Sequence, residues 1–175
     1  MHVEDAIQTL LAVRAFTDQP VSDEVIHRIL EAGRLTASSQ NRQPWHFIVV
    51  RNRATLSALA DAAKTGPYIA GAAFAIVVAV TPTKPAISDA SRAIQDMMLV
   101  GWDHGLGSNW VGSPGRMGEI NTLLGIPDDI EVVSIVPFGY PAHAVGKGRK
   151  QRKPLEEIVH WERWENTGAQ EPGIH

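Results

Sequence analysis

Cysteine is absent from the 175-residue chain, which excludes disulfides, thiol nucleophiles and cysteine-ligated metal sites. A strong charge of either sign is also absent: the net charge is −3, so the surface is not expected to recruit nucleic acid or an anionic membrane. The longest apolar run, residues 68–80, contains glycine and is too short to span a bilayer. The first residues, MHVEDAIQ, are acidic and unlike a signal peptide, so a cytoplasmic location is expected.

Several motifs that carry chemistry are missing as well. The stretch beginning at Gly105 has Trp110 where a dinucleotide fingerprint needs its third glycine, and Gly148 stands where a P-loop needs serine or threonine. The seven histidines form no HExxH motif, and no serine lies in a GxSxG turn. Composition and spacing alone therefore define an α+β protein with one polar loop that could bind a ligand.

Hydrophobic periodicity predicts a single domain over residues 1–175, with one apolar core. Helices are predicted at residues 3–11, 23–36, 55–63, 87–104, 118–124 and 154–161. Buried strands are predicted at 47–50, 74–80 and 131–138, with a short strand within 105–112. The residues alone favour a mixed sheet between layers of helices.

The loop SSQNRQPW, residues 38–45, holds more hydrogen-bonding side chains than a turn needs. Two interpretations remain open from the residues themselves. The loop either satisfies its own backbone or presents donors and acceptors to a ligand.

Four segments of the chain, which follow one another in the family's order, resemble the nitroreductase family of flavin enzymes. The loop matches PSxxNxQPWxF except that Ala37 replaces the proline. The other three segments resemble the family's RxF…PV, GLGxxWxG and LGIP…GYP patterns; they are Arg14-Ala15-Phe16 with Pro20-Val21, residues 105–112, and residues 124–127 with 139–141.

The resemblance implies an α+β fold with a central, mostly antiparallel sheet flanked by helices, in an intertwined homodimer. Residues 146–175 would form an extended tail that reaches the partner subunit. FMN would lie between the subunits and pass a hydride from NADH or NADPH, through its N5 atom, to a small organic acceptor such as a nitroaromatic or quinone. Nucleic acid, membrane and metal are not implied.

The resemblance also assigns roles to residues of this chain. Arg14 would stabilise the negative charge of reduced flavin; the alternative is a surface arginine at a helix C-terminus. Val111, Gly112 and Ser113 would bring backbone N–H groups near flavin N5 and O4, and Gly112 would allow the backbone to come close. The alternative for this segment is a plain strand end.

The remaining assigned residues lie in two polar segments. Ser38, Ser39 and Asn41 would be offered across the interface to the partner's flavin; the alternative is a loop bonded only to itself. Lys150 and Arg152, in the basic run GKGRKQRK, would hold the cofactor phosphate. Because the chain is acidic overall, phosphate capture is favoured over a solvated tail, and nucleic acid ranks last.

One departure from the family pattern concerns the phosphate site. Where the family has RRSxR, this chain has Leu10-Leu11-Ala12-Val13-Arg14, and the leucines are expected to extend the apolar face of Val3 and Ile7. The lost charge-assisted bonds would weaken FMN binding by on the order of 10²- to 10³-fold unless the nearby cations at 147, 149 and 153 compensate. Open alternatives are another flavin such as a deazaflavin, a non-catalytic flavin-binding protein, or a structural dimer without cofactor.

Overall fold

The structure is a computed structural model that describes residues 1–112, 117–145 and 150–164, without the side chain of Met117. Short 3₁₀ turns lie at Ser39–Asn41, Pro67–Gly71 and Leu155–Glu157. The longer elements, in chain order, are α1 (Val3–Thr9), α2 (Asp23–Leu35), β1 (Trp45–Val50), α3 (Arg53–Ala62), β2 (Phe74–Val80), α4 (Ala86–Asp103), β3 (Gly107–Ser108), β4 (Val111–Gly112), α5 (Met117–Leu124) and β5 (Glu131–Gly139).

β2 and β5 form the centre of the sheet because both are continuous runs of β-branched and small apolar residues. They pair antiparallel, and every residue of β2 is buried. The strand order is β1-β2-β5-β3, with β4 also pairing with β5, and all these pairings are antiparallel. The mixed sheet favoured by the residues alone is therefore wrong for the named strands, whereas the antiparallel sheet implied by the family resemblance is confirmed.

Helices cover both faces of this sheet, because alternate residues of β2 point to opposite sides. On one face, Ile76 and Val78 lie in a cluster with side chains of α2 and α4, among them Ile29 and Met97. On the other face, a second cluster combines β2, α3 and α5; it includes Ala75, Val77, Leu56, Leu59 and Ile120. This arrangement confirms the α+β fold class.

Local sequence signals explain where the helices begin and end. The Ser22 hydroxyl accepts the Val25 N–H at 3.4 Å and caps α2. α4 ends at Asp103, and just beyond it Gly105 adopts a φ of +78°, which lets the Leu106 N–H return to the Gly101 carbonyl at 2.9 Å. The predicted bounds of the longer helices are confirmed to within two residues.

Three predictions about the elements are wrong, all at the surface of the subunit. β1 is only half-buried over Phe47–Val49, because it pairs with β2 alone and forms the sheet edge. The first helix ends at Thr9, so Leu10 and Leu11 do not extend the apolar face of Val3 and Ile7, which are themselves 71% and 53% exposed. The predicted helix at 154–161 is a single 3₁₀ turn, because its apolar residues are exposed and an unpacked short helix is marginal in water.

Candidate active site

The segment that carries Arg14 is fixed through its main chain to the end of the sheet. Ala12 forms a parallel bridge to Ser108, and the Val13 N–H donates to the Ser108 carbonyl at 2.9 Å. Further along, the Thr17 N–H donates to the Tyr140 carbonyl at 2.8 Å. The backbone on both sides of Arg14 is therefore held, while its side chain is exposed.

Two glycines allow this segment to lie so close to the sheet. A Cβ atom on Gly107 would lie 2.5 Å from the Cβ of Val13, and one on Gly139 would lie 2.9 Å from Cδ1 of Phe16. Neither distance is compatible with a side chain. Three of the segments that resemble the family pattern therefore touch one another, although they are far apart in sequence.

The Arg14 guanidinium lies over an aromatic ring that the sequence analysis did not select. Its Cζ atom is 5.9 Å from the centroid of Tyr68, within the range of a cation–π contact. The Tyr68 hydroxyl accepts a hydrogen bond from Nδ2 of Asn109, which is 5% exposed. Asn109 lies inside the segment 105–112, but sequence analysis provided no reason to assign it a role. Tyr68 could not be linked to Arg14 from the sequence either, because the two residues are more than fifty positions apart.

β4 brings a second predicted segment to the sheet. Val111 is 2% exposed, and its carbonyl accepts the Ser134 hydroxyl at 3.0 Å, so its side chain belongs to the core. Gly112 is exposed, and among the described residues a Cβ there would come near only the indole of Trp110, at 3.7 Å. With respect to those residues, the backbone at Gly112 has the room that a close approach to a flat ligand requires. Ser113 lies outside the described residues.

The loop of Ser38, Ser39 and Asn41 uses some of its polar groups internally. The Ser38 hydroxyl accepts the Gln43 N–H at 2.9 Å, and the Ser38 carbonyl accepts the Asn41 N–H at 3.0 Å. Ser39 and Asn41 are exposed. Gln40, Asn41 and Gln43 have φ values of 54°, 54° and 48°, a left-handed conformation that costs free energy for residues other than glycine.

A buried carboxylate on α4 holds this strained loop in place. Asp89 is 0% exposed, and its two oxygens accept the Ser39 N–H at 3.2 and 3.1 Å. Asp89 also forms an ion pair with Arg92, one turn further along α4. Sequence analysis missed Asp89, because an acidic residue in the first turn of a helix is expected on electrostatic grounds alone.

The Arg14 segment and the loop at residues 38–41 lie at opposite ends of the subunit. The loop precedes β1, which is three strands from β4, or about 14 Å at the usual interstrand spacing. Along α4, Asp89 contacts the loop, whereas Trp102 donates to the Thr9 hydroxyl at the end of α1. Those two positions are thirteen helical residues apart, or about 20 Å. One subunit does not gather all the predicted flavin residues in one pocket.

Of the cations in the basic run, Lys150, Arg152 and Lys153 are described. The Lys150 ammonium donates to the Ile7 carbonyl at 2.5 Å, which places a cation at the C-terminal end of α1. Arg152 is exposed, and its guanidinium donates to the neighbouring Gln151 carbonyl at 2.8 Å. Lys147 and Arg149 lie outside the described residues.

A cavity of about 560 Å³ lies in the described part of the chain, and none of its described lining residues belongs to the predicted flavin set. It adjoins the Arg14 segment, because Ala142 lines it and donates its N–H to the Ala15 carbonyl at 2.9 Å. Over residues 1–112, 117–145 and 150–164, no group of three or more acidic or histidine side chains is placed to hold a metal. Within the same ranges no helix is long and apolar enough to cross a membrane.

Comparison with known proteins gives one consistent family. The sequence model of the Nitroreductase family matches residues 11–82 and 64–140. A protein of Archaeoglobus fulgidus, named as a candidate NADH dehydrogenase/NAD(P)H nitroreductase, is 35% identical over 167 residues, covering 90% of this chain and 96% of its own length. A protein of the same name from Methanothermobacter thermautotrophicus is 34% identical over 172 residues, covering 94% and 88%.

Solved structures agree with this. An FMN-dependent nitroreductase from Clostridium difficile R20291 superposes with a TM-score of 0.83 at 25% identity, covering 91% of this chain and 98% of its own. The chain therefore belongs to the nitroreductase family. The family, the fold class and the class of NAD(P)H-dependent oxidoreductase expected from sequence are confirmed. The residue assignments stay predictions.

Proposed function

We propose that this chain uses FMN to pass a hydride from NADH or NADPH to a small organic acceptor, such as a nitroaromatic or a quinone, by a ping-pong route. Membership of the nitroreductase family and the likeness to an FMN-dependent enzyme support this. When bound, the flavin supplies the redox chemistry, because its N5 atom accepts a hydride and later gives it up. The chain itself binds the flavin, orients it and stabilises its charge.

The residues near Arg14 suit the ring end of such a cofactor. The exposed Arg14 guanidinium would offer a positive charge to the flavin, and a cation beside the ring would lower the free energy of the negatively charged reduced form. Apart from Trp110, no described residue would crowd a Cβ at Gly112, so a flat ring system could lie within reach of main-chain N–H groups there. Trp110, 38% exposed, borders the same space and adds apolar surface.

The residues at the phosphate end match the family pattern less well, and among the described residues Lys150 is the cation that best suits a phosphate there. Leu10 packs against the core, and Ala12 is committed to its bridge with Ser108, so neither can replace the charged groups of the family pattern. Lys150 lies at the end of α1, just before this segment, and Arg152 is two residues further on. A single positioned cation holds a phosphate more weakly than a pair of arginines.

A site shared between two copies of the chain accounts for the separation of its halves. Ser38, Ser39 and Asn41 lie three strands from β4 and at the other end of α4, so they cannot reach a flavin held by the same subunit's Arg14. Their loop is nevertheless held in a strained conformation by a buried carboxylate, which is typical of a functional loop. This separation is the observation that carries the homodimeric site.

The segment after residue 150 supports the same arrangement. Leu155, Ile158 and Trp164 are 69%, 57% and 80% exposed in one subunit, and they follow Lys150, whose ammonium donates to the Ile7 carbonyl of α1. Exposed apolar residues at this density mark an interaction surface. We therefore assign the extension from about residue 146 onward to contact with the partner subunit.

A second candidate function follows from the phosphate end. Leu10, Leu11 and Ala12 favour either a different flavin, such as a deazaflavin, or a protein that binds flavin without reducing it. A dimer without any cofactor is the third possibility. The three differ in whether FMN binds and whether nicotinamide reduces it.

The test is anaerobic titration of the purified protein. We expect a flavin spectrum, either as isolated or after adding FMN, that NADH or NADPH bleaches in a single turnover. Arg14→Leu is expected to slow bleaching by about 10- to 100-fold, because it removes one charge that stabilises the transition state. If FMN binds but neither NADH nor NADPH bleaches it, the non-catalytic alternative is supported. If calorimetric titration shows that FMN does not bind, the proposal is rejected.

A further inference from the structure

The Arg14 side chain needs a partner to fix it. Its backbone is clamped, since the Val13 N–H donates to Ser108 at 2.9 Å and the Ala15 carbonyl accepts from Ala142 at 2.9 Å. Beyond the backbone, an arginine has several rotatable bonds and a large rotamer entropy. In the part of the chain that the structure describes, Arg14 forms no ion pair, and its head group contacts the Tyr68 ring at 5.9 Å.

The Tyr68 ring is itself held by a buried amide. Asn109 is 5% exposed, so its carboxamide has left water and needs a partner inside the protein. Its Nδ2 donates to the Tyr68 hydroxyl, which fixes the outer end of the ring. At the inner end, the neighbouring Ile69 is fully buried, and its N–H donates to the Gly66 carbonyl at 3.0 Å.

These contacts close into a ring. Asn109 directly follows Ser108, whose carbonyl holds the backbone of Val13, next to Arg14. From Arg14 the contacts return through Tyr68 to Asn109. Both the backbone and the guanidinium of Arg14 are therefore held by the same short stretch, residues 107–109, which leads into β4 and Gly112.

We propose that Tyr68 and Asn109 are positioning residues that hold the Arg14 guanidinium where the reduced flavin is negative, and so set how strongly this protein prefers reduced over oxidised flavin. The inference rests on the proposed function. A free guanidinium spends only part of its time in the productive rotamer, so releasing it weakens binding of reduced flavin more than of oxidised flavin. A tenfold loss of that preference lowers the potential of a two-electron couple by about 30 mV.

Three substitutions separate the contacts. Tyr68→Leu removes the ring, whereas Tyr68→Phe keeps the ring and removes the bond from Asn109. Tyr140→Phe is the matched control, because Tyr140 is the only other tyrosine in the chain. The readouts are the midpoint potential of bound FMN, the affinity for oxidised FMN and the thermal unfolding midpoint.

We expect Tyr68→Leu to lower the potential by about 30 mV, a tenfold effect, while affinity for oxidised FMN changes by less than about threefold. The midpoint potential of Tyr68→Phe is expected to lie between those of Tyr68→Leu and the wild type. The potential of Tyr140→Phe is expected to equal that of the wild type. In Arg14→Leu the further change Tyr68→Leu is expected to have no added effect, because Tyr68 acts through Arg14. An unchanged potential in Tyr68→Leu, or a shift that adds in full to that of Arg14→Leu, would overturn the inference.

A flavin-free measurement separates this inference from the proposed function. In the ¹⁵N NMR spectrum of the protein without cofactor, the Arg14 Nε–H signal, assigned by its loss in Arg14→Lys, is expected to be shifted by the Tyr68 ring. The shift is expected to disappear in Tyr68→Leu and to persist in Tyr68→Phe. If the shift is present but FMN does not bind, the proposed function fails and the contact stands; if Tyr68→Leu leaves the signal unchanged, the positioning role is rejected.

Discussion

Gly107 lets the Arg14 segment lie against the sheet by having no side chain. A Cβ at this position would lie 2.5 Å from the Cβ of Val13, and β3 cannot retreat because Gly107 pairs with Gly139 of β5. We expect Gly107→Ala to destabilise the protein by about 1–3 kcal/mol through overpacking, measured by urea unfolding. Flavin affinity is expected to fall as well, since Arg14 moves with Val13.

Gly118→Ala is the matched control for this substitution. Gly118 lies in α5, and a Cβ there would meet no heavy atom of the described residues within 4 Å. We expect Gly118→Ala to be neutral or to stabilise the protein by up to about 1 kcal/mol, because alanine lowers the entropy of the unfolded chain. Equal losses of stability in both variants would show that close packing is not what requires glycine at Gly107.

Asp89 holds the loop of Ser38 to Gln43 through a single backbone group. Asp89→Ala leaves the Ser39 N–H without its acceptor, so we expect a loss of about 1–3 kcal/mol in stability and faster proteolysis within the loop. Arg92→Ala is expected to cost less than Asp89→Ala, because the Arg92 side chain is 55% exposed and the buried Asp89 carboxylate still accepts the Ser39 N–H. If Arg92→Ala is as damaging as Asp89→Ala, the ion pair holds the loop and not the bond to Ser39.

At the scale of single elements, α2 carries two ion pairs on its surface. The Arg28 guanidinium donates to Glu24 at 2.8 Å and holds the pKa of that carboxyl below its ordinary value of 4.5. The Arg34 guanidinium donates to Glu31 at 2.6 Å and likewise lowers the pKa of the Glu31 carboxyl. A carboxyl with a lower pKa in the folded state adds stability above its ordinary pKa, and that stability is lost as pH falls through the folded value.

The corresponding prediction concerns acid unfolding. We expect the thermal midpoint of the wild type to fall more between about pH 6 and pH 3 than that of the double variant Glu24→Gln/Glu31→Gln. The difference is expected to be small, because both pairs are exposed, and to shrink in about 1 M salt. The same acid dependence in both proteins at low salt would contradict it.

Short amphipathic segments were the elements that sequence predicted least well. Val3 and Ile7 on α1, and Leu155 and Ile158 after Pro154, have helical spacing, yet they are exposed in one subunit. Periodicity reports that a face is apolar, but it does not report what covers that face. In contrast, β2 and α4 were predicted within a residue of their observed bounds, because each is covered by its own subunit.

At the scale of the whole molecule, the proposed site requires two copies. We expect sedimentation to give twice the mass of one chain, with one flavin per chain. Leu155→Ser/Ile158→Ser is expected to weaken the dimer and the affinity for FMN together, since both depend on the same interface. Leu123→Ser, at a single leucine that is 40% exposed on α5, is the control. A monomer that binds FMN with wild-type affinity would reject the shared site.

The sequence by itself determined the buried elements and the family. Runs such as FAIVVAV and the helical spacing in α4 specify local structure wherever it is buried, and motif segments carried the resemblance. Only the tertiary structure decided which of these segments meet: Val13 on Gly107, Phe16 on Gly139, Arg14 over Tyr68, and Ser39 on Asp89. Those contacts join residues dozens of positions apart, and strand order and close packing fix them, whereas local propensity carries no information about distant partners.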